Sequence, residues 1–210
     1  MAVKKVKKEL DTTTEAKIKA AARVVFHKKG FAATRTRDIA EEAGINLALL
    51  NYYFRSKEKL FDIIMLETMQ GFLKSIAMEF NNDKTTLEKK IEIISSAYID
   101  LLIVEPQVPL FIMSELRSNP NELLQNLNTK QIIMNSAFAV QYQQAIKQGK
   151  IAPQHILHFI MNLMALTVFP FVASPMLKII GDVKDEHFGK LMVERKKMIP
   201  IWIKAMMKAK

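Results

Sequence analysis

Apolar residues recur at helical spacing through the first quarter of the chain, and glycine or small polar residues interrupt them at short intervals. Thr12 and Glu15 have the spacing of a capping box, so we expect a helix to begin there and to end at Gly30. A second helix is predicted over residues 36–43 and a third over residues 47–54. Gly44 is expected to close the second helix in a left-handed conformation, and Asn46 to cap the third. Because only a tight turn separates these two short helices, the pattern predicts a helix-turn-helix.

Further helices follow this pair, and the rest of the chain shows no strand-like alternation and no internal repeat. Ser56 is expected to cap a connector helix over residues 57–80, and Thr85 with Glu88 to form a second capping box. A helix is then predicted over residues 87–104, and another from Pro106 and Pro109 to about Asn119 and Pro120. A long helix follows over residues 121–148. The next runs from Pro153 to a kink or end near Pro170, and the last covers residues 184–207 with a kink or break at Pro200. The predicted class is all-α. We divide the chain into residues 1–58, an arm with the helix-turn-helix, and residues 59–210, a larger helical domain.

The net charge of +10 is concentrated near the start of the chain. Residues 1–60 hold 14 Lys and Arg against 7 Asp and Glu, whereas the remaining 150 residues hold 17 against 14. A basic first quarter suits a polyanionic partner, since cationic side chains neutralise phosphates; solubility is the alternative explanation. The lysine-rich residues 1–10 are either a solvated tail or an arm that touches DNA.

The composition also bears on where the protein works. The chain has no cysteine, which excludes disulfides and thiol catalysis and fits a reducing cytoplasm. Its start lacks an apolar core of signal-peptide length, so we expect a cytoplasmic protein rather than a secreted one. Residues 151–177 carry no Lys, Arg, Asp or Glu and are long enough to span a bilayer. Prolines and polar residues interrupt them, so we favour a buried or interface helix and expect no membrane partner.

The N-terminal helices carry distinctive short motifs: Ala-Gly-Ile in the turn, then Tyr-Tyr-Phe and Ser-Lys-Glu-Lys-Leu. Over roughly residues 12–62 this order resembles the TetR family of bacterial transcriptional regulators. The matching residues are Ile18, Ala21, Phe26, Gly30, Phe31, Thr34, Ile39, Ala40, Ala43, Gly44, Ile45, Leu50, Tyr52, Phe54, Lys57 and Leu60. The resemblance implies a DNA-binding regulator, for which we favour a ligand-responsive repressor that binds a palindromic operator as a homodimer.

The second helix of a helix-turn-helix enters the major groove of double-stranded DNA and contacts bases from its N-terminal part. Here that part contains Asn46, Leu47 and Ala48, with Asn51 one turn further on. Asn51 is expected to read an adenine edge, or alternatively to cap a helix or face water. Leu47 and Ala48 are expected to pack on thymine methyl groups.

Phosphate contacts are expected to flank these positions. Thr36 is predicted to bond a phosphate, and Arg37 a phosphate or a guanine. Tyr52, Tyr53 and Lys57 are predicted to reach phosphates, although we expect one of the two tyrosines to pack within the three-helix core instead.

The resemblance further implies that the larger domain binds a small hydrophobic effector and dimerises through its last two helices. The apolar stretch 155–173 fits such an interface, together with Phe188, Leu191, Met192, Ile199, Ile201 and Trp202. Candidate pocket residues are mostly Met and Phe, which make an adaptable apolar wall. They are Phe111, Ile112, Met113, Leu116, Met134, Phe138, Tyr142, Phe159, Met161, Met164, Phe169 and Phe171, with His158 and Asn162 among the candidates to orient a polar group. Ordinary core packing is the alternative for each.

No residue pattern points to catalysis or to a bound cofactor. The sequence contains no glycine-rich phosphate loop, nucleophile elbow or HExxH motif. His155 and His158 have a spacing that can hold a metal, but no third ligand is evident, so no metal site is predicted. The alternative functions are a sequence-tolerant architectural DNA-binding protein without an effector and a membrane-associated protein that uses residues 151–177.

Overall fold

The computed structural model describes the backbone of residues 2–208 and the side chains of residues 13–208. Regular structure in this part of the chain is entirely helical, which confirms the all-α class. The chain forms two compact units, Met1–Thr68 and Met69–Lys210. The division falls inside a helix, later than residue 58, and the functional boundary after residue 58 stays a prediction.

The first unit contains α1 (Ala2–Ala33), α2 (Thr36–Glu42), α3 (Leu47–Tyr53) and the start of α4 (Lys57–Phe80). The predicted second and third helices are therefore confirmed to within one residue. Their apolar faces meet in one core, since Ile18, Ile39, Leu50 and Ile64 from the four helices are all fully buried. Burying a side chain of this size stabilises the fold by about 1.5–3 kcal/mol.

The turn between α2 and α3 depends on a left-handed residue. Gly44 has φ of 61°. Its N–H donates to the Glu41 carbonyl at 3.0 Å, and the Ile45 N–H donates to the Ala40 carbonyl at 3.0 Å. This pattern satisfies the last carbonyls of α2 and favours glycine at the left-handed position. The predicted left-handed Gly44 is confirmed.

The start of α1 differs from the prediction. The helix begins at Ala2 rather than at Thr12. Residues 2–29 contain neither proline nor glycine, and lysine and glutamate favour helices, so the helix can run through the capping-box spacing of Thr12 and Glu15 without a break. The predicted end at Gly30 corresponds to a kink, because Gly30 adopts a non-helical φ of 74° and a further turn of helix continues to Ala33. The side chains of the proposed arm, residues 1–10, lie outside the described residues.

Polar contacts join α1 to the first half of α4. The Lys19 Nζ lies 2.7 Å from a Glu67 carboxylate oxygen and 2.9 Å from that of Glu15. The Arg23 guanidinium donates to the Thr68 hydroxyl at 2.6 Å. Burial alone would lower the pKa of Lys19, but its bonds to the two carboxylates outweigh this and raise it. The first turns of α4 are thus held to α1 by charge as well as by apolar packing.

The second unit contains the rest of α4 and nine further helices. They are α5 (Leu87–Val104), α6 (Val108–Ser118), α7 (Pro120–Leu127), α8 (Thr129–Met134), α9 (Ala137–Lys147), α10 (Ile156–Thr167), α11 (Phe169–Val172), α12 (Ser174–Gly181) and α13 (Asp185–Lys208) among the described residues. Helices α5 and α13 pack along each other. Their buried residues form one core with those of α9 and α10, in which the rings of Phe138 and Phe159 lie 5.0 Å apart.

The predicted single helix over residues 121–148 is wrong, because the chain forms three helices there. Asn128 adopts a left-handed φ of 49° that ends α7. Ser136 caps α9 by accepting the Ala139 N–H at 3.3 Å. Asparagine tolerates the left-handed region and serine is a favoured cap, so both breaks use side chains suited to them.

One predicted helix cap and one predicted helix start in this unit are also wrong. Thr86 rather than Thr85 caps α5, accepting the Lys89 N–H at 3.2 Å. Helix α10 begins at Ile156 rather than at Pro153, and the His155 Nδ1 accepts the Leu157 N–H at 3.2 Å. A cap is defined by which side chain reaches the free N–H groups, and spacing alone did not distinguish neighbouring candidates.

The uncharged stretch 151–177 is divided among three helices, with a break before Pro170 as predicted. Across the described residues, none of the helices is by itself long and apolar enough to cross a membrane. Two bent pairs, α5 with α6 and Ile156–Val172 with α12, meet the requirement by length and composition only.

Helix α4 continues without a break from the first unit into the second. It contains an exposed glycine, Gly71, at which an added Cβ would meet nothing within 4 Å. No turn or close packing therefore requires glycine at this position.

Candidate functional site

The N-terminal edge of α3 presents the side chains that we predicted to read bases. Ala48 and Asn51 are exposed, and Leu47 is half-buried beside them. Leu50, on the opposite face, is fully buried and fixes which side of the helix faces outward. The structure therefore brings the predicted reading set together on one exposed edge.

Asn46 begins α3 and has a defined role in its geometry. Its Oδ1 accepts the Leu49 N–H at 2.8 Å, which confirms the predicted cap. Because this bond uses only the oxygen, the amide N–H groups remain available as donors to a phosphate or a base.

The two residues predicted at the start of α2 differ in exposure. Arg37 is exposed and Thr36 is half-buried. The start of α2 is held by Asp38, whose carboxylate accepts the Arg35 N–H at 2.9 Å and lies 3.0 Å from the Lys29 ammonium. The Arg35 N–H, helped by Lys29, lowers the pKa of Asp38 below its ordinary value. These contacts make the start of α2 rigid, and Arg37 projects outward from it.

Tyr52 and Tyr53 end α3 and contact each other edge-to-face, with ring centroids 5.4 Å apart. Tyr52 is 78% exposed, whereas Tyr53 is half-buried next to the ring of buried Phe54. Tyr53 is thus the member of the pair that packs inward, and Tyr52 is free to approach a phosphate.

Lys57 makes contacts that the sequence did not predict. Its Nζ donates to the carbonyls of Phe31 and Thr34, at 2.9 and 3.0 Å, and lies 4.3 Å from the centre of the Phe31 ring. An ammonium has three N–H groups, so two carbonyls and one phosphate can share it. Lys57 therefore holds the segment between α1 and α2 against the start of α4.

The second unit contains an apolar cavity of about 490 Å³. Its walls come from α4, α5, α6, α10 and α11, and the residue from α4 is Met69. Met113, Leu116 and Phe169 are each about half-exposed in this wall. A site of this size with few polar groups suits the apolar part of a small ligand.

The predicted ligand-binding residues are only partly brought together here. Leu116 and Phe169 line the cavity, as do Ile112, Met113 and Met164. Phe138 and Tyr142 are fully buried core residues, Phe111 is buried without lining the cavity, and Met134, His158 and Asn162 lie outside its lining. A helix that is apolar on several faces does not reveal which face borders a void, so spacing could not separate these groups.

Two residues that the sequence did not single out shape this unit. Tyr98 lines the cavity from α5, and burial raises its pKa to about 12, so its hydroxyl stays neutral. Lys90 is fully buried, and its Nζ donates to the carbonyls of Asn82 and Thr85 and to the Thr85 hydroxyl. Burial lowers the pKa of Lys90. The sequence signal for the burial of Lys90 is its helical spacing from Leu87 and Ile94, which places it on the apolar face of α5.

Exposed apolar side chains mark α10 and α13. Leu157 and Met161 on α10 are 51% and 55% exposed, and Val193 and Ile201 on α13 are 51% and 66% exposed. Of the predicted interface residues, Met192 and Ile199 are instead buried within the chain, because their face of α13 packs on the core of this unit.

Comparisons with known proteins agree with this arrangement. A family model for bacterial regulatory proteins of the tetR family matches residues 18–64. The chain is 24% identical to the probable HTH-type transcriptional regulator YttP of Bacillus subtilis, over 93% of this chain and 95% of that protein.

Two solved structures share the fold. One is the transcriptional regulator FadR of Bacillus subtilis in complex with stearoyl-CoA, with a TM-score of 0.62 and 19% identity over 91% of this chain and 98% of that one. The other is a tetR family regulatory protein from Rhodococcus RHA1, with a TM-score of 0.66 and 19% identity over 94% and 98% of the two chains. Residues 18–64 therefore match the DNA-binding region of bacterial regulatory proteins of the tetR family, and the chain as a whole shares its helical fold with solved regulators of that family.

Proposed function

We propose that the protein is a cytoplasmic, ligand-responsive repressor that binds a palindromic operator as a homodimer and is released by a small hydrophobic effector. The observation that carries the proposal is the course of α4. This one continuous helix begins with Lys57, beside the helix-turn-helix, and lines the apolar cavity with Met69. A change in cavity occupancy therefore acts on the same helix that supports the DNA-binding unit.

The contacts with DNA divide into two groups. Asn46, Leu47, Ala48 and Asn51 enter the major groove and read bases, together with Arg37. Thr36, Tyr52 and Lys57 contact phosphates and position the unit, whereas Tyr53 packs inward beside Phe54. The exposed edge formed by Ala48 and Asn51 supports the first assignment.

Two copies are needed because a palindrome presents two half-sites about one helical turn apart. The exposed apolar residues of α10 and α13 suit the partner surface, since an isologous interface packs the same patch from both subunits. Leu157, Met161, Val193 and Ile201 form its centre in this proposal.

The effector that we favour carries a long acyl chain. The FadR structure with a similar fold contains stearoyl-CoA, and the cavity of about 490 Å³ is lined almost wholly by apolar side chains. Apolar walls bind such a chain by removing its surface from water, at about 0.8 kcal/mol for each methylene.

Release requires the effector to prefer the form that does not bind DNA, because a ligand with equal affinity for both forms shifts nothing. Operator DNA must then weaken effector binding by the same factor. In the proposed mechanism the occupied cavity moves α4, and the two α3 helices no longer match the spacing of the half-sites.

The test begins by selecting genomic fragments of the source organism that the purified protein binds. The selected palindrome and a scrambled duplex of equal composition are then titrated with protein, with and without stearoyl-CoA. We expect strong preference for the palindrome and release on adding the acyl-CoA. Equal affinity for both duplexes would support the alternative, a sequence-tolerant architectural protein; release by neither stearoyl-CoA nor free stearate would refute the acyl effector.

A further inference from the structure

A second, smaller void lies next to the apolar cavity. It has a volume of about 90 Å³ and is lined by α4, α5, α8 and α10, through residues that include Leu73, Ile94 and Phe159. These three are buried core residues, so the void lies deeper in the unit than the cavity with its half-exposed wall. We call it the inner chamber.

Two side chains, Tyr98 of α5 and Met164 of α10, line both the cavity and the inner chamber. No other residue is common to the two walls. The voids therefore meet at this pair, with Tyr98 and Met164 between them.

A ring contact with α4 braces the tyrosine. Its ring packs edge-to-face on Phe72 of α4, with centroids 4.6 Å apart. An aromatic ring has few rotamers and a rigid shape, so it closes a gap more firmly than a flexible methionine does. Tyr98 is therefore the stiffer of the two side chains that lie between the voids, and Met164 is the more adaptable one.

We propose that Tyr98 and Met164 separate the effector cavity from the inner chamber, and that Tyr98 thereby limits the length of the apolar chain that binds. This inference rests on the proposed function, because it assigns a length limit to the proposed acyl effector. A chain that ends at Tyr98 fills the cavity alone, and further methylenes meet the ring. Both voids have mostly apolar walls, so opening the partition joins them into one continuous site for a longer chain.

The experiment measures the affinity of saturated acyl-CoAs of increasing chain length, including stearoyl-CoA, by calorimetry. Tyr98→Ala should move the preferred length upward, with roughly tenfold tighter binding of chains that exceed the wild-type limit, since each added buried methylene contributes about fourfold. Tyr98→Phe keeps the ring and should keep the wild-type preference. Ile103→Ala, at an exposed position of the same helix that lines neither void, should leave the preferred length unchanged.

Met164→Ala tests the partition from the other helix, and should also extend the accepted length. Circular dichroism verifies that each variant is helical, and Met164→Ala keeps the test valid if Tyr98→Ala does not fold. If wild type, Tyr98→Ala and Met164→Ala all bind acyl-CoAs with the same preferred length, the proposed separation of the two voids is overturned. The proposed effector class would remain. Failure of every chain length to bind every variant would overturn the effector class, and the length limit with it.

Discussion

Replacing Lys57 with methionine separates two roles that the structure assigns to one side chain. The substitution keeps the length of the aliphatic stem and removes the ammonium that donates to the Phe31 and Thr34 carbonyls. Both carbonyls belong to the segment that leads from α1 into α2. Stability should fall because this segment loses its attachment, and DNA affinity should fall because the proposed phosphate contact is lost as well.

The expected loss of stability follows from the contacts. A hydrogen bond from a charged donor contributes about 1.5–3 kcal/mol, and a cation–π contact about 0.5–1 kcal/mol at an exposed site. Lys57 is only half-buried, so water can replace part of what is removed. We therefore expect a total loss of about 1–2 kcal/mol, which shifts a urea midpoint by roughly 0.5–1 M.

Different assays measure the two roles of Lys57, the attachment of the segment between α1 and α2 and the phosphate contact. Urea unfolding followed by circular dichroism gives the stability, and DNA titrations at several salt concentrations give the number of phosphate contacts. Each lost phosphate contact should reduce the salt slope by about 0.9, or roughly twice that for a dimer. Lys59→Met, which removes an exposed charge from the same helix, is the matched control. An unchanged salt slope would refute the phosphate contact, and an unchanged urea midpoint would refute the attachment.

Three further substitutions give distinct expectations. The Arg35 N–H lowers the pKa of Asp38 below its ordinary value of 3.8. The ionised carboxylate therefore stabilises the fold above pH 3.8, and this stabilisation is lost as the pH falls through the lowered pKa. Asp38→Asn should flatten this acid dependence in a pH titration of unfolding. Lys90→Met should cost about 2–4 kcal/mol in urea unfolding, because it removes a fully buried hub of hydrogen bonds, whereas Lys89→Met on the exposed face should cost well under 1 kcal/mol. Arg37→Ala should weaken binding more on the selected operator than on altered sites; an equal loss on both would mean that Arg37 contacts phosphate only.

Much of the first unit could be predicted from sequence because its signals are local. Gly44 needs a left-handed backbone and Asn46 caps the helix that follows, and both effects act within a few residues. Helical spacing then places Leu50 in the core and Asn51 outside it. The exposed edge of α3 follows from these short-range rules.

The second unit was harder to predict because long-range packing decides its details. Phe138 and Phe169 are equally plausible pocket residues by type, yet one is fully buried in the core and the other lines the cavity. Tyr98 of α5 lines both voids because of how α4 and α10 pack beside it.

The first unit also contains one contact that local signals did not predict. Lys57 binds carbonyls that lie 23 and 26 residues earlier in the chain, and no local pattern encodes such a contact.

Gly71 lowers the local stability of α4, because glycine is a poor helix former. In an exposed helix interior, glycine is less stable than alanine by about 0.5–1 kcal/mol, and here no neighbour would obstruct a methyl group. The protein therefore retains a destabilising residue in α4 a short way beyond the first unit. Selection for heat tolerance would readily substitute alanine there, because the exchange stabilises the helix without disturbing a neighbour.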